Sequence, residues 1–492
     1  MLGHEGTGEV VAIGKNVKCD TAGKPLKIGD KIVTSVTKCG ECGICRNHPG
    51  NTNLCNKQGI FGLIPDNSEY HLNGWFSDYL LIHGTGATYF NVNGLDVQER
   101  MLLELATVCV HALLRGQSTG LLKFNSKVLL QGCGPVGLMM LCVLRAAGIN
   151  HIIAVDGSET RLAMAKEIGC KTLINFKDSN ADSLEKRVAL VKAVADGMGA
   201  DFAYQCTGAP AAAADVYSYI RRGGGLCEMG FFTNNGDCTI NPHLALCNKE
   251  INLVGSWDYT AQDYLTTMAF LKQCREMNIP IKKLITHSFP LDKLNEAMEL
   301  SELKERVAAA GVIGAGGAGF PTAVKIAQGA DTLLINASEC EPLLFTDYHL
   351  VRRHLSEILA GAEDVMSAAG IPNGYIAIKK HNMQRLGLEP GQEVAPHIKV
   401  ALLPNAYPIG DEVILTYQVL RRVIRPGVLP LSAGVLICNA ETMFNVHRAI
   451  DEGVPVTEKW LTVAGKVKNH EYPTPSLSIG DMRQCSSIII SG

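Results

Sequence analysis

From Lys127 onward the sequence alternates short apolar runs with helix-length stretches, and this rhythm leaves few folds open to the chain. Val128-Leu129-Leu130 leads into a glycine turn and a helix-like segment to Ala147, followed by Ile152-Ile153-Ala154-Val155. The rhythm returns at Thr172-Leu173-Ile174, Asp201-Phe202-Ala203-Tyr204 and Gly225-Leu226-Cys227-Glu228-Met229. Strands separated by helices of this length need crossover connections, so the pattern predicts a doubly wound parallel sheet over residues 118–256. Residues 1–117 are richer in glycine turns and short β-type runs and read as a separate β-rich domain. Residues 257–303 are expected to supply a helix and a short strand that pack back on it. A second α/β stretch opens at Gly311 to Gly319, with apolar runs at Thr332 to Ile335, Tyr375 to Ile378 and Val435 to Ile437 and a helical pattern from His349 to Ala369. It predicts a second α/β domain over 304–455, with the start of a small β-domain over 456–492.

Composition narrows the function. A net charge of -3 over 492 residues, without a long basic run, gives no electrostatic footprint for nucleic acid or an anionic membrane, so small-molecule chemistry is expected. The start Met1-Leu2-Gly3-His4-Glu5 lacks the basic segment and apolar core of a signal peptide, and no apolar run is long enough to span a bilayer. A soluble, cytoplasmic protein is the expectation. Most of the 17 cysteines fall singly within strand and helix patterns, as buried reduced thiols do.

Four of them differ. Cys39, Cys42, Cys45 and Cys55 form C-x2-C-x2-C-x9-C, a spacing that lets knuckle turns aim four thiolates at one tetrahedral ion. A structural zinc is the expectation; a coincidental group of buried thiols is the alternative. Gly132-Cys133-Gly134-Pro135-Val136-Gly137 follows a strand and opens a helix, the context a dinucleotide fingerprint requires. Gly132 makes the turn, Gly134 admits the pyrophosphate and Gly137 packs helix on strand. Asp156 ends the next strand, 19 residues after Gly137, where a carboxylate accepts both ribose hydroxyls and repels a 2′-phosphate, favouring NAD.

These elements, with Gly3-His4-Glu5-Gly6 and Glu104 in Glu-Leu-Ala-Thr-Val-Cys-Val-His-Ala, stand in the order of the zinc-dependent medium-chain alcohol and polyol dehydrogenases. The chain resembles them over roughly residues 2–300. The resemblance implies a GroES-like domain followed by a Rossmann domain, and a catalytic zinc at His4 with Glu5 and Glu104 as ligands or close partners, as in the sorbitol dehydrogenase branch. The family also uses a further zinc-ligating cysteine and a proton-relaying hydroxyl upstream of its Gly-His-Glu; no residue here is assigned those roles. The last spacing in the cysteine lobe is longer than the family's usual one, which lengthens a loop without removing a ligand.

Gly314-Ala315-Gly316-Gly317-Ala318-Gly319-Phe320 exposes several backbone N–H groups and lets a flat ring or a phosphate approach. Alone it reads equally well as a structural turn. With Asn336-Ala337-Ser338-Glu339-Cys340-Glu341-Pro342, Tyr407-Pro408-Ile409-Gly410-Asp411-Glu412 and Asn439-Ala440-Glu441-Thr442 it resembles the Rnf complex C subunit and, more distantly, the flavoprotein subunit of respiratory complex I. The resemblance runs from about 306 to the end. It implies FMN held by Gly314, Gly316, Lys325, Asn336, Glu339, Gly410 and Asn439, with Gly317 and Gly319 in the same loop, and NADH faced by Phe320, Glu341 and Glu412. It also identifies residues 456–492 as the beginning of a β-grasp domain. Cys340, Cys438 and Cys485 lie too far apart for a [4Fe-4S] motif, so electrons leaving FMN are expected to need an iron-sulfur acceptor on another chain. The expected protein is therefore an oxidoreductase using zinc, NAD and FMN on a small alcohol or polyol, and a homo-oligomer. The alternative is a nucleotide-binding scaffold, or joined fragments, whose alcohol site is incomplete.

Overall fold

The computed structural model describes residues 3–64, 73–84, 86–315, 320–326, 329–339, 345–425, 428–460 and the strand 477–478. The chain divides into two compact units, Met1–Ser288 and Phe289–Gly492.

The first unit begins with a three-stranded antiparallel sheet of β1 (Gly8–Glu9), β2 (Lys31–Thr34) and β3 (Tyr89–Asn91) in the order β1-β2-β3. Its residues read as β-rich, yet they end in a helix, α1 (Leu103–Gln117). Leu103, Ala106, Val110 and Leu113 recur at helical spacing and are all buried, with Glu104 among them on the first turn.

There follow β4 (Lys127–Gln131), α2 (Pro135–Ala146), β5 (His151–Asp156), α3 (Glu159–Ile168), β6 (Thr172–Asn175), α4 (Leu184–Val194), β7 (Ala200–Gln205), α5 (Pro210–Tyr219), β8 (Ile220–Glu228), β9 (Asn252–Gly255) and α6 (Asp263–Glu276). The six strands are parallel in the order β6-β5-β4-β7-β8-β9. Both faces of the sheet are covered, which is why Val128 to Leu130 and Ile152 to Val155 are unbroken apolar runs, all buried. Gly137 to Leu144 of α2 is buried on every side, consistent with an apolar helix packed between the sheet and neighbouring helices. Each fully buried Leu, Met or Val there contributes about 1.5–3 kcal/mol. Ser158 caps α3 by accepting a hydrogen bond from the Arg161 N–H, and Gly169 at φ 112° ends it in the left-handed conformation that favours glycine. The strand order reverses between β4 and β7, the point at which open parallel sheets take ligands outside the carboxyl ends of their strands.

The second unit contains α7 (Leu294–Ala309), β10 (Thr332–Ala337), α8 (Thr346–Ala369), β11 (Asn373–Lys379), β12 (Glu393–Ala395), β13 (Ile398–Leu403), α9 (Glu412–Leu420), β14 (Val435–Asn439), α10 (Ala440–His447), β15 (Glu458–Lys459) and β16 (Leu477–Ser478). Its main sheet has the order β12-β13-β11-β10-β14, parallel except for β12. The order reverses between β10 and β14, where Asn336 and Asn439 lie side by side in register. β15 pairs antiparallel with β16. The remainder of the expected β-grasp segment lies outside the described residues.

Two expectations change. The sequence reading carries the first module to residue 303, but Leu300, Leu303 and Val307 of α7 are buried in the core formed with β10, α8 and β14. Packing therefore assigns 289 onward to the second unit. The short strand expected within 257–303 is also not found; those residues form α6, short 3-10 turns and the start of α7.

Candidate functional site

The four cysteines converge. Cys42 caps the one-turn helix Gly43–Asn47, and Cys55 ends the 3-10 turn Thr52–Leu54. Their Sγ atoms stand 3.5 Å apart for Cys39 and Cys55, 3.9 Å for Cys39 and Cys45, and 3.9 Å for Cys42 and Cys55. A tetrahedral zinc with bonds of about 2.3 Å sets its sulfurs about 3.8 Å apart, so the cluster fits that ion. Backbone N–H groups of Cys45 and Asn56 pull the Cys42 thiol down to about 6. Those of Glu41 and Cys42 lower Cys39. Burial, with the neighbouring thiols, pushes Cys45 up to about 11. Sulfurs so close cannot all carry charge without a cation among them.

His4, Glu5 and Glu104 also come together, with possible ligand atoms all within 4.8 Å of one another. Glu104 is buried, and burial together with the charge of Glu5 pushes its carboxyl up to about 8. The fully buried Tyr259 and Tyr264 flank it. An imidazole and two crowded carboxylates form a donor set that suits a divalent cation.

At the β4/β7 reversal the glycines behave as their spacing requires. Gly132 has φ +94°, and a Cβ on Gly137 would run into the carbonyl oxygen of Gly132. A Cβ on Gly134 would meet nothing within 4 Å, so this glycine faces open space at the start of α2. Asp156 is buried beside the turn. Its Oδ2 accepts from Cys133 N at 2.7 Å and its Oδ1 from Ser158 N at 2.8 Å, which fixes the carboxylate against the glycine turn.

The second reversal gathers most of the remaining predicted residues. Asn336 Nδ2 donates to the Gly410 carbonyl at 3.0 Å, and its Oδ1 accepts from Ser338 N and Oγ. Glu339 Oε1 accepts from Tyr348 N at 3.0 Å. Lys325 pairs with Glu412 at 2.9 Å. Asn439 caps α10 by accepting from Glu441 N at 2.8 Å and donates to Asp347 Oδ1 at 3.3 Å. Gly314 N donates to the Phe320 carbonyl at 2.8 Å, and Ala315 N to Thr442 Oγ1 at 3.0 Å, which anchors the glycine loop on α10. Phe320 is exposed. Gly316, Gly317, Gly319 and Glu341 lie outside the described residues. Sequence reasoning missed Asp347, whose carboxyl is held well above the carboxylate range by burial and by Glu339 and Glu441. Nothing in a lone aspartate at a helix start signals that role. Glu441 and Thr442, next to Asn439 in the sequence, join the site through the Asn439 cap and the Ala315 bond.

A glycine turn with Asp156 beside one strand-order reversal, and Asn336 paired with Asn439 at the other, are features of a nucleotide-binding oxidoreductase. Comparison with known proteins agrees with that class. Residues 1–91 match the alcohol dehydrogenase GroES-like domain, 135–273 the zinc-binding dehydrogenase domain and 307–448 the Nuo51 FMN-binding domain. Sorbitol dehydrogenase of Bacillus subtilis is 30% identical over 300 residues, which is 61% of this chain and 76% of that protein. Cobalamin reductase PduS of Salmonella typhimurium is 38% identical over 181 residues, 37% of this chain. The chain spans only 40% of that reductase's length. An alcohol dehydrogenase structure from Thermotoga maritima is 29% identical with a TM-score of 0.56, covering 62% of this chain and 81% of that one. The chain belongs to the zinc-dependent alcohol dehydrogenase family and carries, after that module, an FMN-binding domain of the Nuo51 type. Zinc, NAD and FMN are the cofactors of these domain families.

Proposed function

We propose that the front module oxidises a small alcohol or polyol with NAD, and that the back module receives the hydride of NADH on FMN. The observation that supports this reading is that the glycine turn and Asp156 stand beside one strand-order reversal and Asn336 and Asn439 pair at the other. When bound, zinc polarises an alcohol oxygen, NAD accepts the hydride, and FMN turns an electron pair into single electrons.

The residues divide the work. His4, Glu5 and Glu104 would hold the zinc of the alcohol site, and Cys39, Cys42, Cys45 and Cys55 the zinc of the lobe. Gly132, Gly134 and Gly137 keep the turn clear of side chains, so that backbone N–H groups at the start of α2 would be free to hold a pyrophosphate. Asp156 would accept from the ribose hydroxyls while its backbone bonds fix its direction, and its charge would repel a 2′-phosphate. In the back module Gly314, Asn336, Glu339, Gly410 and Asn439 would shape the flavin pocket, with Gly316, Gly317 and Gly319 completing its loop. Lys325 supplies a positive charge for the phosphate. Phe320, Glu341 and Glu412 would face the NADH.

An iron-sulfur protein would be the acceptor of the single electrons. No helix among the described residues is long and apolar enough to cross a membrane; we place the protein, as a homo-oligomer, in the cytoplasm. Purified protein assayed for metal, flavin and polyol-dependent NADH formation tests the reading. Two zincs and one FMN per chain, with turnover lost in E104Q, support it. A protein that forms no NADH from any polyol although both zincs are bound refutes the dehydrogenase half.

A further inference from the structure

The four-cysteine lobe is tied into the wall of the metal site. Cys55 lies in the turn Thr52 to Gln58, held by bonds from Cys55 N to the Thr52 carbonyl at 3.3 Å and from Gln58 N to the Cys55 carbonyl at 3.0 Å. Three side chains of this turn cross to residues 257–261, which link β9 to α6. Thr52 Oγ1 accepts from Ala261 N at 2.9 Å, and Asn53 Nδ2 donates to the Trp257 carbonyl at 2.8 Å. Gln58 uses both ends of its amide: Nε2 donates to the Asp258 carboxylate, and Oε1 accepts from Trp257 Nε1 at 3.4 Å. Tyr259, the next residue, is fully buried in one core with Leu103 and Ala106, which stand either side of Glu104 on α1.

A second route runs through α1. Asn53 Nδ2 stands 3.5 Å from His111 Nε2, and His111 Nδ1 pairs with Asp263 at 2.8 Å. His111 sits two turns along the helix from Glu104. Thr52, Asn53, Asp258 and Asp263 are all buried. Buried polar groups that lose their partners are costly, so this turn cannot shift without disturbing residues 257–261.

We propose that Asn53 and Gln58 are positioning residues through which the four-cysteine lobe sets the placement of Glu104, so that zinc in the lobe preorganises the second metal site. The inference rests on the reading that His4, Glu5 and Glu104 hold an ion. Zinc is titrated into the full-length protein against a chromophoric chelator, with tryptophan fluorescence followed in parallel. The wild type takes a tight zinc at the lobe and a second zinc that E104Q removes. N53A/Q58A keeps the lobe zinc, changes the tryptophan emission and binds the second zinc about tenfold to a hundredfold more weakly, the range for partners that orient metal ligands. Second-site affinity within about twofold of wild type overturns the inference while leaving the metal-site reading intact. A wild type that takes one zinc, with E104Q no different, overturns the metal-site reading and the inference with it. If N53A/Q58A loses the lobe zinc or does not fold, Q58A alone is judged by the same criterion.

Discussion

Replacing Asp156 by asparagine removes a charge and almost no volume, so it isolates what the carboxylate does. In the folded protein both oxygens are engaged, one by Cys133 N at 2.7 Å and the other by Ser158 N at 2.8 Å. An asparagine offers one oxygen and one amino group, so whichever way it turns, one backbone N–H faces another donor. One charge-assisted hydrogen bond is lost and the other becomes neutral, a cost of about 2–4 kcal/mol to the first unit. NAD loses a charged acceptor for its ribose hydroxyls, worth about 1.5–3 kcal/mol, or roughly tenfold to a hundredfold in dissociation constant. NADP should lose less, because the repulsion of its 2′-phosphate disappears with the charge. Quenching of protein fluorescence by NADH and NADPH gives both constants, and urea denaturation gives the stability. A D156N protein with unchanged NADH affinity, unchanged preference over NADPH and an unchanged midpoint would refute the assigned role.

Other expectations follow from the same geometry. C42S removes one of four converging sulfurs; it should lower bound zinc by one per chain and the melting temperature by several degrees, measured by metal analysis and calorimetry. Asp258 is pushed up to about 6 by burial, against an ordinary 3.8. Its contribution to stability is therefore full below pH 3.8 and is lost as pH rises through 6. D258N should flatten that decline and add about 2–3 kcal/mol at neutral pH, seen by comparing denaturation at both ends of the window. N439A removes the cap of α10 and the partner of Asp347; it should cost the second unit about 1 kcal/mol and weaken FMN binding, read from flavin fluorescence.

What the sequence disclosed was mostly local. The turn from Gly132 to Gly137 and Asp156 could be located because strand, turn and helix follow one another directly, and the four cysteines because knuckle spacing is local too. The grouping of His4 with Glu104 crosses a hundred positions and was legible only through family resemblance. Leu103 to Gln117 sits in a stretch read as β-rich, although its buried residues repeat at helical spacing. The α7 helix was assigned to the wrong core because its amphipathic pattern shows that a face is buried but not against what. β12 and β13 were not anticipated: Glu393–Ala395 is short and polar, and Ile398–Leu403 follows it without a helix between. Asp258, Tyr259 and Asp347 owe their surroundings wholly to tertiary packing, which no spacing rule records.

The account joins two nicotinamide-using modules in one chain, and anaerobic reduction of the FMN-loaded protein tests that most directly. One equivalent of NADH should bleach one bound FMN and yield one NAD+, and a polyol with only a trace of NAD+ should bleach it more slowly, by recycling that trace through the front module. A protein that binds FMN but keeps its oxidised flavin spectrum when NADH is added would contradict the account.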